Sequence, residues 1–115
     1  MNWKEYIMEG DFLDDLQGSS DNINRKILPD VAKKLKAKGF KKLDIEKSDM
    51  DADASVGITK GKKNLHIQIG PYGLGVNIWD AKKGTLQELA MFTQINPGTI
   101  KKAIDKFVMA AKKLK

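Results

Sequence analysis

The chain has 115 residues, 41% hydrophobic and 31% charged, with no cysteine and a single histidine. These are the proportions of one ordinary globular domain, and they exclude disulfides, thiolate metal sites and cysteine nucleophiles, in keeping with a reducing compartment. No apolar run reaches the roughly 18–20 residues of a membrane span, so no membrane partner is expected, and the formal net charge of +6 points instead toward polyanions.

Residues 2–9 read as a short amphipathic helix, with Asn2 as cap and Glu5 three residues later, and with Trp3, Tyr6 and Ile7 on one face. Phe12, Leu13 and Leu16 suggest a second helical piece that ends before Gly18-Ser19-Ser20, the best linker candidate. Ile23, Ile27, Leu28, Val31 and Leu35 then recur at helical spacing. Pro29 either kinks this helix or occupies the first turn of a new one over 29–38. Gly39 followed by Phe40 has the form of a glycine C-cap with its hydrophobic contact.

The hydrophobic period next falls from about 3.6 to 2. Leu43 and Ile45 alternate with Lys42, Asp44 and Glu46. Ala52, Ala54, Val56 and Ile58 alternate with Asp53, Ser55, Gly57 and Thr59. Leu65, Ile67 and Ile69 alternate with Asn64, His66 and Gln68, and Leu74, Val76 and Ile78 with Gly75, Asn77 and Trp79. Lys60-Gly61-Lys62 and Gly70-Pro71-Tyr72-Gly73 supply the turns. Residues 85–92 read as a fifth strand after a glycine-bulge hairpin over 80–84, or as a short helix through a Thr85/Glu88 capping box; the strand is favoured. Asn96-Pro97 opens a terminal helix whose buried stripe is Ile100, Ile104, Phe107, Val108, Ala111 and Leu114. The expectation is an α+β fold: N-terminal helices and a C-terminal helix packed on one face of an antiparallel four- or five-stranded meander, the other face open.

Charge is unevenly placed. Residues 1–30 hold three basic and seven acidic residues, residues 31–115 eighteen and eight. Lys33, Lys34, Lys36 and Lys38 lie on one helix; Lys101, Lys102, Lys106, Lys112 and Lys113 lie on the other. If these groups merge they form a polyanion-binding surface, otherwise solvated helix faces. Arg25 is the single arginine, so any contact with DNA is expected to be nonspecific.

Four local patterns invite chemistry. Asp49, Asp51 and Asp53 have the spacing of the first calcium-loop ligands, but Ala54 and Lys60 stand where the turn glycine and bidentate glutamate belong, so no metal is expected. His66 falls on the open face between Gly57 and Asn77, where it is an exposed strand histidine or, with Asn77 or Asp44, the centre of a small active site. The glycines of 70–75 join two strands, unlike a phosphate loop, which leads into a helix. Trp79 either covers the edge of the core, the favoured reading, or anchors a partner. No catalytic constellation and no cofactor site emerges.

The first ten residues, Met-Asn-Trp-Lys-Glu-Tyr-Ile-Met-Glu-Gly, resemble the capsid-targeting leader of internal head proteins of T-even-like bacteriophages. In that family a protease cuts after the glutamate of an Ile/Leu-x-Glu tripeptide, matched here by Ile7, Met8 and Glu9 with Gly10 following; Leu86-Gln87-Glu88 has the same form inside the domain. The resemblance covers about a tenth of the chain. It implies a leader over 1–9 and a mature domain over 10–115. It implies a basic, non-enzymatic protein held in the virion interior with the genome and then delivered to the host cytoplasm. There its partner would be a host defence protein, with nonspecific DNA association as a packaging aid. Cleavage would remove Lys4, Glu5 and Glu9, raising the side-chain net charge from +6 to +7. The alternatives are a nonspecific nucleic-acid-binding module and a small binding domain of unknown partner.

Overall fold

The computed structural model of the protein describes residues 20–49 and 52–114. The expected helices at 2–9 and 12–16, and the Ile7/Glu9/Gly10 processing site, lie outside the described residues.

A continuous helix, α1, comprises a short α-helical turn (Ser20–Asn22), a π-helical segment (Ile23–Ile27) and a regular helix (Leu28–Ala37). Pro29 accounts for the wide turn. It has no N–H to donate, and its ring would crowd the carbonyl four residues back. The widened turn instead lets the Leu28 N–H reach the Ile23 carbonyl, a five-residue step. Thus the helix continues through the proline while the regular segment starts with it in the first turn, combining the two sequence expectations. Ile23, Ile27, Leu28, Val31, Ala32 and Leu35 face inward and are buried.

The end of α1 is a Schellman cap. The Gly39 N–H donates to the Lys36 carbonyl (3.0 Å) and the Phe40 N–H to the Leu35 carbonyl (3.3 Å). The glycine has φ +104°, a conformation that side-chain-bearing residues avoid. This turn delivers the Phe40 ring edge-on to Phe107, centroids 5.1 Å apart and planes at 89°.

Five strands follow in a meander: β1 (Asp44–Glu46), β2 (Ala54–Lys60), β3 (Lys63–Gly70), β4 (Gly73–Asp80) and β5 (Thr85–Phe92). Each pairs antiparallel with the next, so spatial order equals chain order. Residues 85–92 are therefore a strand, and Thr85 caps no helix. The preceding turn is held by Asp80, whose Oδ1 accepts from the backbone N–H groups of Lys82 (3.0 Å) and Lys83 (3.1 Å).

Helix α2 (Pro97–Lys113) opens with a reciprocal cap. Asn96 Oδ1 accepts from the Thr99 N–H (2.9 Å) and Thr99 Oγ1 from the Asn96 N–H (3.0 Å). Helix α1 packs on β2, and α2 packs on β3, β4 and β5 and against α1. Both helices thus cover one face of the sheet. Ala54, Val56, Leu65, Ile67, Ile69, Leu74 and Val76 meet Val31, Leu35, Ile104 and Phe107 there, all nearly or fully inaccessible to solvent. Deleting the Phe107 ring from such a site costs about 3–5 kcal/mol. No helix among the described residues is long and apolar enough to cross a membrane.

Candidate functional site

The period of 2 that fills the core also assembles the opposite face. Three rows run across the strands. Thr59, Asn64, Trp79 and Leu86 form one; Asp44, Gly57, His66, Asn77 and Glu88 the second; Glu46, Ser55, Gln68, Gly75 and Met91 the third. Gly57 and Asn77 do flank His66, as the alternation predicts. Trp79 also belongs to this face and is 41% exposed. This corrects the reading that it covers the core edge: with Leu74, Val76 and Ile78 inward, parity turns residue 79 outward.

The two faces carry opposite charge. Across Ser20–Lys38 and Pro97–Lys113, the helix layer holds eleven basic and three acidic residues. The open face holds Asp44, Glu46, Asp53 and Glu88 and no lysine or arginine in its three rows. Both strand lysines turn to the helix side: Lys60 Nζ donates to the Leu114 carbonyl (3.1 Å), and Lys63 lines a hollow with Lys106 and Lys113. The ion pairs among the described residues, Asp21–Arg25, Asp30–Lys34 and Lys101–Asp105, all run along helices. None engages the four open-face carboxylates.

The nine helix lysines of the sequence reading are exposed, and their two helices lie side by side on the same face of the sheet. His66 and Trp79 are not with them but across the sheet. A single surface of lysines interleaved with an aromatic, as single-stranded nucleic acid requires, is therefore not formed from this set. Lys63 is the addition that the sequence reading missed, because its side is fixed by the register of the β2–β3 hairpin.

His66 is half-buried and is oriented by a relay across β1, β2 and β3. The Asp44 carboxylate accepts from Thr59 Oγ1 (2.5 Å), and Thr59 Oγ1 in turn accepts from Asn64 Nδ2 (2.9 Å). Asn64 Oδ1 is then turned to His66 Nδ1 at 2.8 Å. An amide oxygen only accepts, so Nδ1 carries the proton and Nε2 is the basic nitrogen. Burial holds the imidazole pKa below its ordinary value of 6.5, partly offset by hydrogen bonding to the Asn64 backbone and by the nearby Glu46 carboxylate. His66 is thus linked to Asp44 through Asn64, which reaches the carboxylate by way of Thr59 and by a longer direct bond (3.5 Å), and makes no direct bond to Asp44; Asn77 turns away, donating from Nδ2 to Gln68 Oε1 (3.1 Å). Neither pairing expected for a small active site is formed directly.

Beside the relay the face sinks into a hollow of about 380 Å³ between the turn at 70–73 and β5. Asp53 lies at one side, packed over Gly70: a Cβ there would stand 2.8 Å from both carboxylate oxygens. Its Oδ2 accepts from Gln68 Nε2 (2.8 Å). Glu88 stands on the other side, Asn77 (4% exposed) forms part of the floor, and Leu86 and Met91 line the hollow with more than half their surface exposed. Of the calcium-like spacing, Asp49 Oδ1 instead accepts the Ala52 N–H (2.8 Å), Asp53 serves this hollow, and Asp51 lies outside the described residues. The glycines at 70–75 form the tight turn and the adjoining strand ends, as read. No family profile, curated protein or solved structure matches the chain.

Proposed function

We propose that this chain is a non-enzymatic phage internal protein, packaged with the genome and delivered to the host, where it binds a host defence protein through the open face of its sheet. The observation that carries the binding half is that face itself. It combines carboxylates without internal ion pairs, a hollow, and exposed Leu86, Met91 and Trp79, on the side of the sheet opposite a basic helix layer. Apolar and aromatic side chains of this kind are favoured anchors of protein interfaces. The delivery half is supported by the resemblance of residues 1–10 to a capsid-targeting leader. The intact mass of the protein recovered from purified phage particles tests it. A species starting at Gly10 is expected; full-length protein in the particle, or none, overturns it.

The helix layer supports a second role, nonspecific association with DNA. Its two lysine groups share one side of the molecule, with Lys63 beside Lys106 and Lys113, while the acidic rows face away. Such binding weakens steeply with salt. An affinity unchanged between low and physiological salt would remove this role.

A further inference from the structure

We infer that the hollow bounded by Asp53, Gln68, Asn77 and Glu88 receives a basic side chain, arginine or lysine, presented by a protein partner; this rests on the reading that the open face is the binding surface. The argument is one of hydrogen-bond polarity as well as charge. Within the hollow the amides form a directed chain: Asn77 Nδ2 donates to Gln68 Oε1 (3.1 Å), and Gln68 Nε2 donates to Asp53 Oδ2 (2.8 Å). Each amide nitrogen commits one of its two N–H groups to the chain. What the hollow offers a ligand, beside the second N–H of each amide, is mostly acceptors: Asn77 Oδ1 and the carboxylates of Asp53 and Glu88. Guanidinium and ammonium groups are the side-chain heads that only donate.

The walls suit the stem of the same side chains. Leu86 and Met91 are 56% and 57% exposed and line the hollow with Glu88, offering hydrocarbon to an alkyl chain whose head lies among the carboxylates. Charge complementarity fixes the approach. The helix layer repels a basic partner, whereas the open face carries no lysine or arginine in its rows to compete for Asp53 or Glu88. The occupant is therefore a basic protein segment, docked with one cationic side chain inserted.

Capped hexaarginine and hexalysine peptides, with hexaglutamate as control, are to be titrated into the full chain while backbone amide signals are followed by NMR. Binding of the cationic peptides is expected, with the largest shifts at Gln68, Asn77, Glu88 and Met91. The variant D53N/E88Q is expected to bind at least about tenfold more weakly, a factor matching the loss of charge-assisted hydrogen bonds. E88Q alone, which leaves the amide chain intact, is expected to show part of that loss. No binding at low salt, shifts confined to other surfaces, or an affinity unchanged in D53N/E88Q would overturn the inference. Concentration-dependent self-association of the chain, abolished equally by D53N/E88Q and by K101E/K102E, would also overturn it, because the cation would then come from a second copy's helix layer. The particle mass measurement is independent of all these outcomes. A Gly10 species with a failed titration removes the hollow's assignment and leaves delivery standing.

Discussion

His66 on β3 pairs so closely with Gly57 on β2 that a Cβ on the glycine would lie 2.7 Å from the His66 Cβ and 2.1 Å from the Leu65 carbonyl oxygen. The strands meet here without room for any side chain. Gly57→Ala must therefore spread the β2–β3 pair or displace the His66 relay. The expected cost is about 2–3 kcal/mol, in the range of overpacked cores. Chemical denaturation checks it; a variant as stable as the parent would mean that the strands separate freely at this point.

Acid is expected to destabilise the protein in two windows. Burial lowers the His66 pKa, so between the folded value and 6.5 the unfolded chain binds the extra proton. The stabilisation is complete above 6.5 and is lost as pH falls through the folded value. His66→Gln is expected to flatten this limb of a plot of stability against pH. Asp80 is lowered chiefly by the hydrogen bond from the Lys83 N–H, so its contribution is lost only below 3.8, as pH falls through its folded value. Asp80→Asn is expected to flatten this lower limb alone.

The π segment makes a specific long-range contact. Asn24 Nδ2 donates to the Ser48 carbonyl (2.8 Å), and the Ser48 N–H donates to Asn24 Oδ1 (2.6 Å). This pair pins the β1–β2 connection to α1. Asn24→Ala breaks both bonds and is expected to cost about 1–3 kcal/mol. Amide exchange around Ser48 is expected to accelerate, while that of β3 and β4 changes only with global stability.

If the helix layer contacts DNA, each lysine that meets a phosphate contributes about 0.9 to the slope of log affinity against log salt. Changing Lys101, Lys102 and Lys106 to glutamine is expected to weaken binding and flatten that slope. D53N/E88Q is expected to leave the slope unchanged, since its carboxylates lie on the other face. Equal effects from both variants would contradict the division of the two faces.

Much of this architecture is legible in the sequence because its signals are local. Period-2 alternation by itself places His66 between Gly57 and Asn77, and Gly39-Phe40 announces the helix cap. Residues 85–92 are harder, because a register irregularity beside Val76 and Asn77 breaks their alternation: Glu88 pairs with Asn77, Ala90 with Val76, and Leu89 is the extra residue. The π segment is invisible to spacing rules, since its apolar residues still satisfy a helical pattern. The acidic face escapes for another reason. Asp44, Glu46, Asp53 and Glu88 are far apart in the chain, and only the register of the sheet adds them together. The amide chain from Asn77 through Gln68 to Asp53 likewise depends on side-chain directions that no spacing encodes.

The claim that the open face is the working surface can be tested on the chain directly. A photo-crosslinking amino acid is placed at Leu86 on the open face, or at Lys102 on the helix layer, and each protein is irradiated in a host-cell lysate cleared of nucleic acid. Leu86, exposed beside the hollow, is expected to give a discrete protein adduct that D53N/E88Q abolishes, and Lys102 is expected to give none. Adducts from Lys102 alone, or a Leu86 adduct indifferent to D53N/E88Q, would contradict the account.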